Sequence, residues 1–242
     1  MSYSFSSDRS MMAHFFRLFI LLVLLAGCDL GDGNPIKIGV LHSLTGTMAV
    51  SEKPVVDAIN LAVEEINQNG GVLGRPLQTL LEDGASEPDV FAAKAKRLID
   101  QDVAAIFGCW TSASRKAVKP EVEAADQLLF YPVQYEGLES SNSIVYMGAA
   151  PNQQIIPAVH WALENLGDRV MLVGSDYIFP RSANMMIKDL LRNRNVEILS
   201  EKYIPLGSKN MEGILSAVKK HKPDVIFNTI NGDSNLAFFK ML

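Results

Sequence analysis

At 242 residues, 48% hydrophobic and 20% charged, the chain is long enough for one large globular domain or two modest ones. Its formal net charge is −5, and no Lys/Arg cluster approaches the basic patch that nucleic-acid binding needs, so that class of function is excluded.

The first residues read as a segment apart from the fold. Arg9 and Arg17 precede a short apolar run, LFILLVLLA (Leu18 to Ala26), followed by Gly27-Cys28. A positive start, a short apolar stretch and a small-residue cleavage site describe a secretory signal. A membrane-spanning helix would need roughly 20 apolar residues. Leu25-Ala26-Gly27-Cys28 resembles the lipobox of bacterial lipoproteins, which implies a lipidated Cys28 as the first mature residue. Residues 1–27 are then a lipoprotein signal peptide and residues 28–35 a tether, DLGDGNP after the cysteine. Asp29 resembles an inner-membrane retention signal. Acyl chains on Cys28 would hold the protein to a membrane face. Loss of Arg9, Arg17 and Asp8 with the signal leaves 20 cations against 26 anions, a net charge of −6. With Cys28 acylated, Cys109 is the remaining thiol, so no intramolecular disulfide forms.

From residue 36 onward, strands and helices alternate. Ile36 to Leu41 (IKIGVL) predicts a strand, and Pro54 to Asn67 an amphipathic helix with Ile59, Ala62, Val63 and Ile66 on one face. NGGVLGRP (Asn69 to Pro76) is a turn. Leu77 to Glu82 is strand, Asp89 to Gln101 helix, Ala104 to Phe107 a buried strand and Ser112 to Ala125 helix. Leu128 to Tyr131 and Ile144 to Met147 complete a first set. A second set follows: helix at Gln153 to Leu166, strand at Val170 to Val173, helix at Arg181 to Arg192 and strand at Val196 to Tyr203. Helix at Met211 to Lys220, strand at Val225 to Asn228 and helix from Asn235 to Leu242 end it. This order predicts an α/β fold of parallel sheets covered by helices on both faces, with right-handed crossovers. The expected division is a first lobe over residues 36–150 and a second, incomplete lobe over 151–242, which reads as C-terminally truncated. No repeats or heptads occur.

Within this frame, GCWTSASRK (Gly108 to Lys116) is the segment richest in chemistry, with a cysteine, hydroxyls and cations together. It lies between a strand and a helix, where open parallel sheets bind ligands. LFYPVQYEG and GSDYIFPR occupy equivalent positions, one in each lobe, and all three loops are expected to face one crevice. These segments, with IGVLHSLTGTMA, AVEEINQNGGVLGRPL, GAAPNQQ and NTINGDSN, resemble the urea and short-chain-amide branch of the type I periplasmic binding proteins, the substrate-binding subunits of ABC importers. The resemblance spans Ile36 to Leu242. It implies a two-lobed fold, a small neutral urea-like ligand, permease subunits as partners, no cofactor and a place on the periplasmic side of the inner membrane. Members of the family continue well beyond a chain of this length.

Cys109 as a nucleophile needs a histidine base and a lowered pKa. His14 leaves with the signal, His160 and His221 sit on helices, and His42 follows the first strand and could lie near the cleft. Cys109 reads better as a small buried residue, no metal-ligand spacing occurs, and the expectation is a binding protein with no catalytic residue. Ser112 reads equally well as a helix N-cap or as a ligand contact, and the resembling family places a ligand-contacting serine there. Tyr131, Tyr135 and Tyr177 supply hydroxyls, Trp110 and Phe179 flat walls, and Glu136 an acceptor for amide N–H groups. Arg115 and Lys116 are read as solvent-facing. Asp176 and Asp233 are possible ammonium partners, so a branched-chain amino-acid ligand stays open, as does an amide sensor. Cytoplasmic amide sensors resemble this loop set too, but carry Tyr where Phe179 stands and Thr where Val133 stands. An amide hydrolase using Cys109 is the remaining alternative.

Overall fold

The computed structural model describes residues 33–242. The signal peptide, Cys28 with its lipid, Asp29 and most of the tether lie outside the described residues. The first strand is not an edge. β1 (Ile36–His42) lies between β2 (Leu77–Asp83) and β3 (Ile106–Gly108), and the sheet continues through β4 (Leu129–Tyr131) and β5 (Ile144–Tyr146) in the order β2-β1-β3-β4-β5. All neighbours are parallel, with Ile36 opposite Leu77 and Leu41 opposite Gly108. The crossovers carry α1 (Ala49–Gln68), α2 (Pro88–Asp100) and α3 (Ser112–Ala124). Phe91, Ala95 and Leu98 of α2 and Val118 and Val122 of α3 pack on Leu41, Ile106, Leu129 and Tyr131 to form one core.

A second parallel sheet has the order β7-β6-β8, with β6 (Val170–Ser175) between β7 (Ile198–Ile204) and β8 (Val225–Thr229). Its helices are α4 (Ile155–Asn165), α5 (Ile178–Arg192), α6 (Glu212–His221) and α7 (Asp233–Met241). Every residue of β6 is buried, as a central strand covered on both faces requires. Its alternation divides the lobe into two cores. Val170 and Leu172 meet Val159 of α4 and Ala183, Ile187 and Leu191 of α5. Met171 and Val173 meet Ile214 and Ala217 of α6 and Phe238 of α7. Each fully buried side chain of this kind contributes about 1.5–3 kcal/mol. The two-lobed α/β architecture expected from the sequence is thus the one observed.

Element limits differ where local capping overrides periodicity. α1 begins at Ala49, five residues before the expected Pro54, because Ser51 and Glu52 already donate to the Met48 carbonyl. α5 begins at Ile178 and takes in Phe179 and Pro180; a proline in the first turn loses no helical hydrogen bond. β3 is shifted to Ile106–Gly108, and its Phe107 is half-buried, stacked on Phe130 at 4.8 Å. The loops after β1, β3, β4, β6 and β8 all leave the carboxyl ends of their strands. Among the described residues no helix is long and apolar enough to cross a membrane.

Candidate functional site

The turn from β3 into α3 places the chemistry. Cys109 adopts φ 65° and donates its N–H to the Leu41 carbonyl at 2.9 Å, which turns the thiol inward to full burial. Thr111, not Ser112, caps α3: its hydroxyl oxygen accepts the Ser114 N–H at 3.0 Å. Freed from capping, the Ser112 hydroxyl donates to Glu136 Oε2 at 2.5 Å.

One turn on, Arg115 corrects the solvent-facing expectation, for it is fully buried. Its Nη2 donates to Glu136 Oε1 at 2.8 Å, its Nε to Glu139 Oε1 at 2.8 Å and its Nη1 to Ser112 Oγ at 3.1 Å. The guanidinium carbon lies 4.7 Å from the ring centre of Tyr131, 5.7 Å from Tyr135 and 5.8 Å from Tyr146. Aromatic faces and carboxylates together replace the water this cation has lost. Lys116 does reach solvent, yet its Nζ lies 2.5 Å from Glu139 Oε2 and 3.7 Å from Glu136 Oε1. Two cations thus answer two carboxylates. Burial works to raise the Glu139 carboxyl, but hydrogen bonds from Lys116 and Arg115, with the Arg115 charge and Tyr146, outweigh it and hold the group at about 2.

Tyr131 is fully buried and donates to the Trp110 carbonyl at 2.6 Å and, more weakly, towards that of Gln134 at 3.3 Å. Trp110 therefore enters the cluster through its backbone, with a half-buried ring. Tyr135 stacks on Tyr146 at 4.6 Å between centroids. From the second lobe, Tyr177 precedes α5. Burial first, and then Tyr131 and Glu136, push its hydroxyl well above the ordinary tyrosine range. Phe179 is buried two residues on and lines a cleft of about 260 Å³ with Gln134, Ile155, Ala183, Asn228 and Asn231. Among the described residues no ionisable side chain lines it. Of the sequence-predicted residues, Ser112, Tyr131, Tyr135, Glu136 and the Trp110 backbone form one cluster beside the cleft, Tyr177 stands at the start of α5 in the second lobe, and Phe179 alone lines the cleft itself.

Other candidates are spoken for elsewhere. Burial, then the Glu52 charge, raises the Cys109 thiol far above its ordinary value, against the Ser114 hydrogen bond and Arg115, which is the reverse of what a nucleophile needs. His42 is fully buried with Nδ1 2.9 Å from Glu52 Oε2. Asp176 pairs with Arg181 at 2.8 Å, and Asp233 is engaged by Thr47. Sequence reasoning missed Arg115, Glu139, Tyr146 and the amides Gln134, Asn228 and Asn231. Glu136 and Glu139 close on Arg115 from more than twenty positions away, so no local spacing announced the enclosed cation.

A two-lobed pair of parallel sheets, with a cleft lined by the second lobe and by Gln134 of the first, matches a periplasmic-binding-protein fold. The chain belongs to that family: the model of the periplasmic binding protein domain matches residues 36–242. A Leu/Ile/Val-binding protein of Rhizobium johnstonii is 25% identical over 200 residues, which is 79% of this chain and 53% of the relative. A solved ABC-transporter solute-binding protein of Rhodopseudomonas palustris in complex with 3,4-dihydroxybenzoic acid is 26% identical with a TM-score of 0.77, covering 86% of this chain and 57% of that one. A fatty acid ABC transporter substrate-binding protein of Thermomonospora curvata is 26% identical with a TM-score of 0.74, covering 85% and 54%. The chain spans about half the length of the curated relatives it matches.

Proposed function

We propose that this protein is the substrate-binding subunit of an ABC importer, lipid-anchored at Cys28 on the periplasmic side of the inner membrane, and that it takes up urea or a short-chain amide between its lobes. The observation that carries the ligand class is the absence of a free carboxylate in the cleft. Glu136 is already held by Arg115 and Ser112, Asp176 by Arg181, and the cleft lining is neutral. An amino acid brings an ammonium group that needs a fixed acid; urea and small amides do not. The Gln134 and Gln154 carboxamides offer donors and acceptors and the Asn231 side-chain oxygen a further acceptor, while Asn228 is held by Asn235 and the Ile230 N–H; this suits a molecule with one carbonyl and several N–H groups. Ligand touching both lobes stabilises the closed form through its differential affinity, and the closed complex then docks on permease subunits whose ATPases drive transport.

A branched-chain amino acid is the second reading, favoured by the names of the curated relatives. Calorimetric titration of the exported protein with urea, formamide, acetamide and leucine separates the two. Heat from urea or an amide with none from leucine is expected. Saturable leucine binding with no response to urea or any amide sinks the proposal. Incubation with urea or acetamide should release no ammonia; release lost in Cys109→Ala would favour a hydrolase instead.

A further inference from the structure

One lobe-to-lobe contact is built far more firmly than a chance touch. The loop between β1 and α1 is tied to its own lobe at nearly every residue. Glu52 accepts the Ser43 N–H at 2.8 Å. Asp83 accepts the N–H groups of Leu44 at 2.8 Å and Thr45 at 3.3 Å and the Thr45 hydroxyl at 2.7 Å. Burial works to raise the Asp83 carboxyl, yet those bonds and that from Ala85 hold it below its ordinary value. Ser86 accepts the Met48 N–H at 3.0 Å and donates to the Thr45 carbonyl at 2.9 Å, while Met48 is buried. The loop therefore moves with the first lobe as a stiff finger.

Its tip is Thr47, which meets Asp233, Gly232 and Gly207 of the second lobe. The Thr47 hydroxyl donates to Asp233 Oδ1, and the Asp233 N–H returns a bond to the Thr47 carbonyl at 3.0 Å. Gly232 turns at φ +68°, and a Cβ there would stand 2.7 Å from both Thr47 oxygens. Gly207, in the loop after β7, also comes up against the Thr47 side chain. Lys209 Nζ lies 3.9 Å from Asp233 Oδ2. Neither Thr47 nor Asp233 lines the cleft.

We infer that the reciprocal Thr47–Asp233 pair is a latch that sets the balance between closed and open lobes without touching the ligand. Both are positioning residues, and their role in uptake rests on the ligand-binding reading above. A hydroxyl-to-carboxylate bond is strong enough to move a two-state balance by about tenfold, ~1.4 kcal/mol. Ligand affinity then changes with the closed fraction, although no ligand contact is altered.

The test uses the full chain with spin labels at Gln68→Cys on α1 and Lys220→Cys on α6, in a Cys28→Ser background, since Cys109 is fully buried. Pulsed electron–electron resonance reads the inter-lobe distances with and without urea. Thr47→Val should lower the closed-to-open ratio about tenfold relative to the parent, and Thr47→Ser, which keeps the hydroxyl, should restore it. Asp233→Asn, which weakens the acceptor, should fall between. Thermal melting separates loss of the latch from loss of the fold; if Thr47→Val does not fold, the other two variants carry the comparison. Distance distributions in the variants that match the parent overturn the latch, whatever urea does. A variant shift with no response of any protein to urea leaves the latch standing and removes the urea reading.

Discussion

Arg115 shows how far a single side chain can depart from its default. A charged residue on an amphipathic helix ordinarily faces water, and nothing within its own helix says otherwise. Its partners lie more than twenty positions away, Glu136 and Glu139, and sequence spacing cannot bring them back. The same loop shows why Ser112 was ambiguous: Thr111 and Ser112 are adjacent, both can cap, and only the fold decides which hydroxyl turns to Glu136. The carboxyl of Glu139 makes a pH prediction. Its folded value, about 2, lies below its ordinary value of 4.5, so its stabilising effect is complete above pH 4.5 and is lost as pH falls from 4.5 through 2. Glu139→Gln should therefore melt below the wild type at neutral pH. The gap should close as the medium is acidified across that window, as followed by circular dichroism. A constant gap would place the charge outside the stability of the fold.

At the scale of elements, the alternation of strands and helices was legible because buried parallel strands are short apolar runs and their helices carry clear apolar faces. Boundaries were less legible: α1 and α5 both start before the expected position, where first-turn bonds extend the helix past a proline. The connection after β4 depends on a close approach that no periodicity reveals. A Cβ at Gly148 would fall 1.9 Å from the Val133 carbonyl carbon, and the Tyr135 N–H bonds to the neighbouring Ala149 carbonyl at 3.3 Å. Gly148→Ala must push the Val133–Glu136 loop away from its seat. A loss of about 1–3 kcal/mol is expected, as for other overpacked sites, read as a lowered melting temperature. Unchanged stability would mean that the loop yields freely and is not a rigid wall of the cleft.

For the whole molecule, the sequence made two α/β sets and the loops at their strands' carboxyl ends readable, because such a loop is a consequence of element order alone; that the cleft takes only Gln134 from the first lobe was not readable. It did not disclose the Thr47–Asp233 contact, since partners in different lobes leave no local trace. All described sheet pairs are parallel, so every ladder joins distant parts of the chain. Folds dominated by such pairings acquire their structure slowly. Trp110 and Trp161 report on one lobe each, and refolding followed by their fluorescence should take milliseconds to seconds or longer; a microsecond phase carrying the full amplitude would contradict this. The position of β1 sharpens the point. This strand is synthesised first among the described elements yet sits inside its sheet, so Ile36 has no neighbour until Leu77 emerges, and the other edge of the strand, at Gly39, must wait for Ile106. A polypeptide whose leading strand stays unpaired for so long remains a pliable thread, the state that the proposed export through a translocation channel requires.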